Sequence, residues 1–107
     1  MLAKYSPFNE NIVRHYTKQI LQGLEYLHMH QIIHRDIKGA NVLVDRNGVC
    51  KLGDFGSAKK IAGLHENFNS LIGTPNWMSP EVIQQKNYGR SADIWSLGCT
   101  VLEMLTG

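Results

Sequence analysis

Eight residues, His34 to Asn41, constrain this chain more than any other part of its sequence. They read HRDIKGAN and place a guanidinium, a carboxylate, an ammonium group and a carboxamide within one short stretch. A helical pattern precedes them, and a short apolar run, Val42–Val44, follows. Four such groups between a helix and a strand indicate a loop that presents its side chains for chemistry. We call residues 34–41 the polar loop.

The segment before the polar loop predicts one long amphipathic helix. Asn9 follows a turn at residues 6–7 and is predicted to cap the start of the helix. Gly23 lies inside the helix at a cost of about 1 kcal/mol, which we interpret as a place of close packing. Apolar residues recur at three- and four-residue steps and form a single stripe: Ile12, Val13, Tyr16, Ile20, Leu21, Leu24 and Leu27.

The segment after the polar loop predicts a β-hairpin. Val42–Val44 and Val49–Leu52 are short β-type runs, and Asn47-Gly48 between them is a strong hairpin signal. Asp54 comes directly after the second run. The two carboxylates, Asp36 and Asp54, are therefore expected at the same mouth.

The second half of the chain begins with residues 56–79, which show no sustained periodicity. Long stretches of this kind are usually functional loops or disordered. A short helix is predicted at Pro80–Gln85 with Ser79 as its cap, and a turn at residues 87–89. Ser91 is predicted to cap a second long helix that is apolar nearly all round and should lie in the core. Its buried side is predicted to contain Ile94, Leu97, Gly98, Val101, Leu102 and Leu105.

Composition narrows the class of protein. The chain has 107 residues, the size of one small domain, and a net charge of +2, too weak to predict nucleic acid or an anionic membrane as partner. No apolar run approaches the roughly 20 residues of a membrane span, and the N-terminus does not resemble a signal peptide. Cys50 and Cys99 lie far apart, which favours two reduced, mostly buried thiols in a cytoplasmic protein.

The polar loop fits the protein-kinase pattern H-R-D-L-x-x-x-N, with Ile37 in the place of leucine. The second kinase signature, Asp54-Phe55-Gly56, follows in the right order. The chain thus resembles the C-terminal lobe of a eukaryotic protein kinase over essentially all its residues. Three strings are most similar to the mitogen-activated protein kinase kinase kinase group: HRDIKGANVLVD, GTPNWMSPEV and SADIWSLGCTVLEMLTG.

This resemblance implies a protein-kinase-like α+β fold. Residues 1–107 would form a mainly α fragment of the C-terminal lobe, with a small β-hairpin beside the catalytic loop. The N-terminal lobe and the later helices would lie outside it. The implied activity is ATP-dependent transfer of phosphate to Ser or Thr of a protein substrate, with ATP and Mg²⁺ as cofactors. The substrate would be a downstream kinase of a MAP kinase cascade.

Phosphoryl transfer requires an oriented hydroxyl, metal ions on the phosphates and positive charge near the developing negative charge. Asp36 fits the group that accepts or orients the hydroxyl proton, and Lys38 fits a cation beside the transferred phosphate. Asn41 and Asp54 offer the oxygen ligands that Mg²⁺ prefers. Gly56 gives the backbone after Asp54 conformational freedom.

The resemblance implies further roles in the site. Leu43 matches the residue beneath the adenine ring. Thr74 belongs to the segment that receives the residue after the substrate hydroxyl, and it should bond toward Asp36 and Lys38. Asp93 matches the carboxylate that holds the backbone around residues 34–35.

Other implied roles are structural. His34 and Phe55 match members of a stacked apolar spine. Glu81 matches a residue whose arginine partner is expected beyond residue 107. Ser79 replaces the alanine that usually precedes the Pro80-Glu81 pair, a departure from the pattern that should be harmless.

The resemblance also implies regulation by phosphorylation. Arg35 matches the arginine that pairs with an activating phosphate, and Lys59 matches a second phosphate partner. Ser70 lies at the expected position of the primary phosphate. Among the other hydroxyls of this region, Ser57 is too close to Asp54, Thr74 is engaged with the catalytic residues, and Ser79 lies at a helix start.

Other interpretations fit these residues less well. A zinc site could be imagined from His28, His30, His34 and Asp36, but the first two histidines are predicted to point to different sides of a helix end, which disfavours it. Tyr16, Trp77 and Trp95 fit packing aromatics better than a cofactor site, and Lys59–Lys60 alone would be a solvated pair.

The remaining rival is a non-catalytic, kinase-like interaction module. The sequence contains no G-x-G-x-x-G, Walker loop or V-A-I-K strand, so a phosphate-covering element would lie outside it. The 107 residues alone are therefore expected to be inactive and marginally stable.

Overall fold

The computed structural model describes residues 7–60, 74–84 and 89–107. The α-helices of these ranges are α1 (Glu10–Met29), α2 (Pro80–Ile83) and α3 (Ser91–Thr106). The strands are β1 (Ile32–Ile33), β2 (Val42–Val44), β3 (Cys50–Leu52) and β4 (Lys59–Lys60). Single 3₁₀ turns occur at Gly39–Asn41, Phe55–Ser57 and Pro75–Trp77. The described part is thus mainly helical with short antiparallel pairs.

The start of helix α1 is as predicted, and its buried face contains fewer residues than the predicted apolar stripe. The Asn9 side chain accepts a hydrogen bond from the backbone N–H of Ile12 at 3.0 Å, so it caps the helix. A Cβ at Gly23 would approach Leu52 Cδ1 to 3.4 Å, which confirms close packing there. Ile12 and Leu21, predicted in the stripe, are 37% and 44% exposed because they flank the packed face. The buried residues are Val13, Ile20, Leu24 and Leu27.

The predicted hairpin is present. Strands β2 and β3 pair antiparallel, with Val42 opposite Leu52. Gly48 has a φ of +78°, a conformation that glycine adopts without steric cost. The Asp45 carboxylate accepts hydrogen bonds from the backbone N–H groups of Val49 and Asn47. These bonds hold the pKa of Asp45 below its usual value and close the turn.

Helix α3 differs from the prediction in its cap and its buried side. Ser91 is its first residue, and Arg90 occupies the cap position without a capping side-chain bond. Ile94, Leu102 and Leu105 are 50%, 62% and 43% exposed, and Gly98 is exposed too. Leu97 is buried and Val101 is partly buried, as predicted, but the buried face also contains several polar side chains, so the predicted apolar side is only partly correct. Its buried residues are Ala92, Asp93, Ser96, Leu97, Thr100 and Met104.

The main core lies between α1, α3 and the β2–β3 hairpin. Its most deeply buried apolar members are Ile20, Leu24, Ile37, Val42 and Met104. A backbone hydrogen bond of 2.7 Å from Phe8 N to Met104 O ties the start of the described chain to α3. The polar loop runs from β1, which packs beside α1, to β2, which pairs with β3, and its Ile37 side chain is buried in the same core.

One strand pair was not predicted. Strand β4 pairs antiparallel with β1, with Lys59 opposite Ile33. Residues 56–79, interpreted as a long stretch without regular structure, therefore contain a 3₁₀ turn and a strand at their start. A two-residue ladder is held by backbone bonds and leaves no period in the side chains, so the sequence could not show it.

The short helix α2 ends at Ile83, earlier than the predicted Gln85. Ser79 occupies its cap position, but the buried hydroxyl makes no hydrogen bond within the described ranges. Trp95, predicted as a packing aromatic, is 49% exposed. The predictions for Ser70 and for the turn at 87–88 fall on residues outside the described ranges.

Candidate active site

The hydroxyl of Thr74 joins the two charged groups of the polar loop. Thr74 Oγ1 donates to Asp36 Oδ1 at 2.8 Å and accepts from Lys38 Nζ at 2.8 Å. The contact implied by the resemblance is therefore present. A carboxylate and an ammonium group are held on either side of one hydroxyl, and all three residues are partly buried.

Asn41 secures the other side of Asp36. Its Nδ2 donates to the backbone oxygen of Asp36 at 2.7 Å and to Asp36 Oδ2 at 3.1 Å. Because the amide nitrogen faces Asp36, the amide oxygen is the atom that can bind a cation. The backbone oxygen of Asn41 accepts from Gly53 N at 2.8 Å, so the residue before Asp54 is bound directly to the polar loop.

Asp54 is exposed and lies in the left-handed region, with φ 51° and ψ 70°. Such a conformation costs a non-glycine residue about 1–3 kcal/mol and persists only where neighbouring contacts enforce it. Gly53 makes two of them: its N–H donates to the Asn41 carbonyl, and its own carbonyl accepts a 2.8 Å hydrogen bond from His34 Nε2. These two bonds join the residue before Asp54 to both ends of the polar loop that carries Asp36.

His34 is fully buried and its hydrogen bonds define its tautomer. Nδ1 accepts from Asp36 N at 3.1 Å, and Nε2 faces a carbonyl. The first bond requires a bare nitrogen and the second a proton, so the ring is neutral with its proton on Nε2. Its ring contacts Phe55 edge-on, with centroids 5.0 Å apart. The predicted stacking partners therefore touch.

Asp93, also fully buried, fixes the start of the polar loop from α3. Its Oδ2 accepts from His34 N and its Oδ1 from Arg35 N, each at 2.9 Å. Arg35 has a φ of 71°, so these bonds hold a strained backbone in place. His28 Nε2 also lies 2.9 Å from Asp93 Oδ2, an interaction that the sequence did not indicate.

Glu103 on α3 was missed as well. Its Oε1 accepts from the backbone N–H of Gly39 at 2.9 Å and from Trp77 Nε1 at 3.2 Å. Ser96 Oγ donates to the Trp77 carbonyl at 2.7 Å, which docks the same turn on α3. The signal in the sequence was that Glu103 is the one charged residue in the second half of α3.

The structure places the other predicted site residues as follows. Leu43 is 49% exposed and its Cδ1 lies 3.4 Å from the Cβ position of Gly53. Gly56 lies in the 3₁₀ turn after Asp54, and its N–H approaches Asp54 Oδ1 at 3.4 Å. Glu81 lies in the first turn of α2, and the backbone of Lys59 pairs with β1.

Two features are absent from the residues that the structure describes, 7–60, 74–84 and 89–107. None of the His, Cys, Asp and Glu side chains there form a group of three or more that could hold a metal ion. None of the helices in those ranges is long and apolar enough to cross a membrane.

A family model described as "Protein kinase domain" matches residues 1–107. The chain belongs to the protein kinase family. Mitogen-activated protein kinase kinase kinase A of Dictyostelium discoideum is 58% identical over 106 residues, covering 99% of this chain and 11% of that protein. Mitogen-activated protein kinase kinase kinase 2 of Arabidopsis thaliana is 58% identical, covering 100% of this chain and 17% of that protein.

The human mitogen-activated protein kinase kinase kinase 3 is 55% identical over 108 residues, covering 98% of this chain and 17% of that protein. The resemblance to this group is therefore confirmed along the whole chain. The chain spans between 11% and 17% of the length of these three relatives.

Proposed function

We propose that the protein is an ATP-dependent serine/threonine kinase of the mitogen-activated protein kinase kinase kinase type. One observation carries the proposal: the Thr74 hydroxyl bonds to both the Asp36 carboxylate and the Lys38 ammonium group at 2.8 Å. This arrangement sets a proton acceptor and a cation side by side, which is what transfer of phosphate to a hydroxyl requires.

Each group has a distinct part in the proposed reaction. The Asp36 carboxylate orients the substrate hydroxyl and accepts its proton as phosphate is transferred. The Lys38 ammonium group lies where it can neutralise charge on the transferred phosphoryl group. Thr74 keeps the two side chains apart and aligned, and Asn41 holds the second oxygen of the carboxylate.

The donor set fits Mg²⁺ bound with a nucleotide. Asn41 offers an amide oxygen and Asp54 an exposed carboxylate, and Mg²⁺ usually takes one or two such ligands together with phosphates. When bound, the ion would neutralise charge on the phosphates of ATP. Leu43, exposed beside Gly53, is the apolar surface on which an adenine ring would lie. Asn41 and Asp54 would hold the metal, and Leu43 the base.

We place residues 1–107 in the C-terminal lobe of a kinase domain. The site has side chains for one half of an ATP site, and the elements that would cover the phosphates are assigned to an N-terminal lobe. The relatives' name describes a kinase that acts on a MAP kinase kinase, so we propose a protein kinase as the substrate. The two free cysteines agree with a cytoplasmic location.

The test uses the full-length protein with MgATP and a kinase-inactive MAP kinase kinase as substrate. We compare the wild type with Thr74→Val, which removes the hydroxyl at similar volume, and Thr74→Ser, which keeps it. The wild type should phosphorylate Ser or Thr residues. The valine variant should lose roughly 10- to 100-fold in kcat, the range expected when reacting groups are misplaced, and the serine variant much less.

A matched control is Glu25→Gln, which neutralises an exposed carboxylate on α1, outside the polar loop. It should leave kcat unchanged. Nucleotide binding by the wild type without any transfer would overturn the proposal in favour of a kinase-like interaction module. Full activity in Thr74→Val would show that the Thr74 hydroxyl does not position Asp36 and Lys38 for phosphate transfer.

A further inference from the structure

A single carboxylate oxygen connects two segments of the site that are distant in sequence. Glu103 Oε1 accepts from Gly39 N, directly after Lys38, and from Trp77 Nε1, three residues after Thr74. We call this arrangement the Glu103 clasp. It rests on the rigid helix α3, and the other end of each segment is bonded at the Thr74 hydroxyl.

These bonds form a closed circuit. It runs from Glu103 to Gly39, through Lys38 to Thr74, along the 3₁₀ turn to Trp77, and back to Glu103. Ser96, also on α3, adds a second bond from the helix to this turn at 2.7 Å. The Glu103 clasp therefore limits how far the backbones beside Lys38 and Thr74 can move apart, and so keeps the Thr74 hydroxyl within reach of the Lys38 side chain.

The space around the clasp is tight. A Cβ added at Gly39 would lie 2.6 Å from Glu103 Oε2 and 2.9 Å from Oε1. Glycine at this position lets the carboxylate approach the backbone closely enough to accept its N–H. Any side chain at Gly39 would displace the carboxylate, because the carboxylate is the mobile end of a flexible side chain.

The partners on Glu103 Oε1 are a backbone amide and an indole, both neutral donors. A bond from a neutral donor to a carboxylate is directional and is strengthened by the acceptor's charge. The oxygen therefore fixes the positions of the Gly39 amide and the Trp77 indole. A glutamine side-chain oxygen at the same place could accept the same two hydrogen bonds.

We propose that Glu103 is a positioning residue, which holds the Lys38 end of the polar loop and the Thr74 turn in register for phosphoryl transfer. This proposal rests on the proposed function, and it adds a residue on α3, Glu103, that holds the catalytic groups in place. Glu103 acts through Gly39 and Trp77 and need not touch the substrate.

The experiment uses the full-length protein and the variants Glu103→Ala, Glu103→Gln, Trp77→Phe and Gly39→Ala, together with one double variant and one control. Steady-state kinetics give kcat and the KM values for MgATP and a protein substrate. Glu103→Ala should lower kcat roughly 10- to 100-fold with little change in KM for MgATP, since small misplacements of reacting groups act on the chemical step. Glu103→Gln should restore most of the rate.

Trp77→Phe removes only the indole donor and should lower kcat less than Glu103→Ala. Gly39→Ala displaces the carboxylate sterically and should lower kcat about as much as Glu103→Ala does. The double variant Gly39→Ala/Glu103→Ala should have a kcat no lower than that of the more impaired single variant. Glu25→Ala, an exposed glutamate on α1, is the matched control. Thermal unfolding of each variant separates loss of rate from loss of fold.

Three results would overturn the proposal: a normal kcat in Glu103→Ala, a glutamine variant as impaired as the alanine variant, or a higher KM for the protein substrate at unchanged kcat. The last would mean that Glu103 contacts the substrate directly.

A second readout does not depend on activity. The indole N–H of Trp77, assigned by its loss in Trp77→Phe, should exchange with solvent faster in Glu103→Ala than in the wild type or Glu103→Gln. If the wild type transfers no phosphate, the proposed function fails, and this exchange rate still decides whether Glu103 holds the turn. Equal exchange in all three proteins would overturn the clasp itself.

Discussion

The backbone N–H of Arg35 donates to the carboxylate of Asp93 at 2.9 Å, across 58 residues of sequence. The same carboxylate accepts the N–H of His34 at its other oxygen. Helix α3 thereby sets the conformation of the polar loop at the residue with a φ of 71°. The fixed loop start, in turn, carries Asp36.

Replacing Asp93 with asparagine should destabilise the fold. One of its two acceptor oxygens becomes an NH₂ group that faces a backbone donor, so a buried N–H is left unsatisfied. Such a loss costs about 1–3 kcal/mol in the free energy of unfolding. Denaturant titration of the full-length protein measures this, with the exposed-site variant Glu25→Gln as the control. Equal stability of the two variants would contradict the assigned role.

Some of the fold could be predicted from the sequence because the signals were local. Asn9 caps α1 through its own side chain, and Asn47-Gly48 closes the hairpin through the glycine's positive φ. The polar loop was found because its residues are contiguous. The contact of Thr74 with Asp36 and Lys38 was predicted only from the resemblance, because no spacing rule connects residues that far apart in sequence.

The buried side of α3 could not be predicted because its polar residues are satisfied internally. Ser96 Oγ donates to Ala92 O at 3.1 Å and Thr100 Oγ1 to Ser96 O at 2.8 Å. Hydroxyls that bond to the preceding turn can be buried, whereas a hydrophobic pattern assigns them to the surface. Glu103 was missed because its hydrogen-bond partners, Gly39 and Trp77, lie in two chain segments that come together only in the fold.

Cys50 gives the stability of the protein a dependence on alkaline pH. Burial, and then the charge of Asp45, raise the pKa of the Cys50 thiol from 9.0 to about 11. Between these values the folded state holds the proton that the unfolded state has lost, so the free energy of unfolding falls as pH rises. The difference in unfolding free energy between the wild type and Cys50→Ala should shrink or reverse from pH 8 to pH 11. A pH-independent difference would contradict the assignment.

Phosphorylation of Ser70 should raise activity. Ser70 lies outside the described residues, and the prediction rests on its sequence position and on Arg35 and Lys59. Strand pairing sets the backbone of Lys59 opposite Ile33, two residues before Arg35, so both basic residues belong to one region. A phosphate carries nearly two negative charges and forms charge-assisted bonds with such groups.

Phosphopeptide mapping of the active full-length protein tests this. Ser70→Ala should lower kcat, and Ser57→Ala, which removes a nearby hydroxyl, is the comparison. Full activity with Ser70 unmodified would place the switch elsewhere.

We propose that the Asp36 carboxylate accepts the proton of the substrate hydroxyl and that Asp54 binds MgATP through the metal ion. The most direct measurement compares Asp36→Asn and Asp54→Asn in the full-length protein, with phosphate transfer and MgATP binding determined on the same samples. Asp36→Asn should abolish transfer and keep MgATP affinity close to the wild type, whereas Asp54→Asn should weaken MgATP binding. Normal turnover by Asp36→Asn would contradict the account.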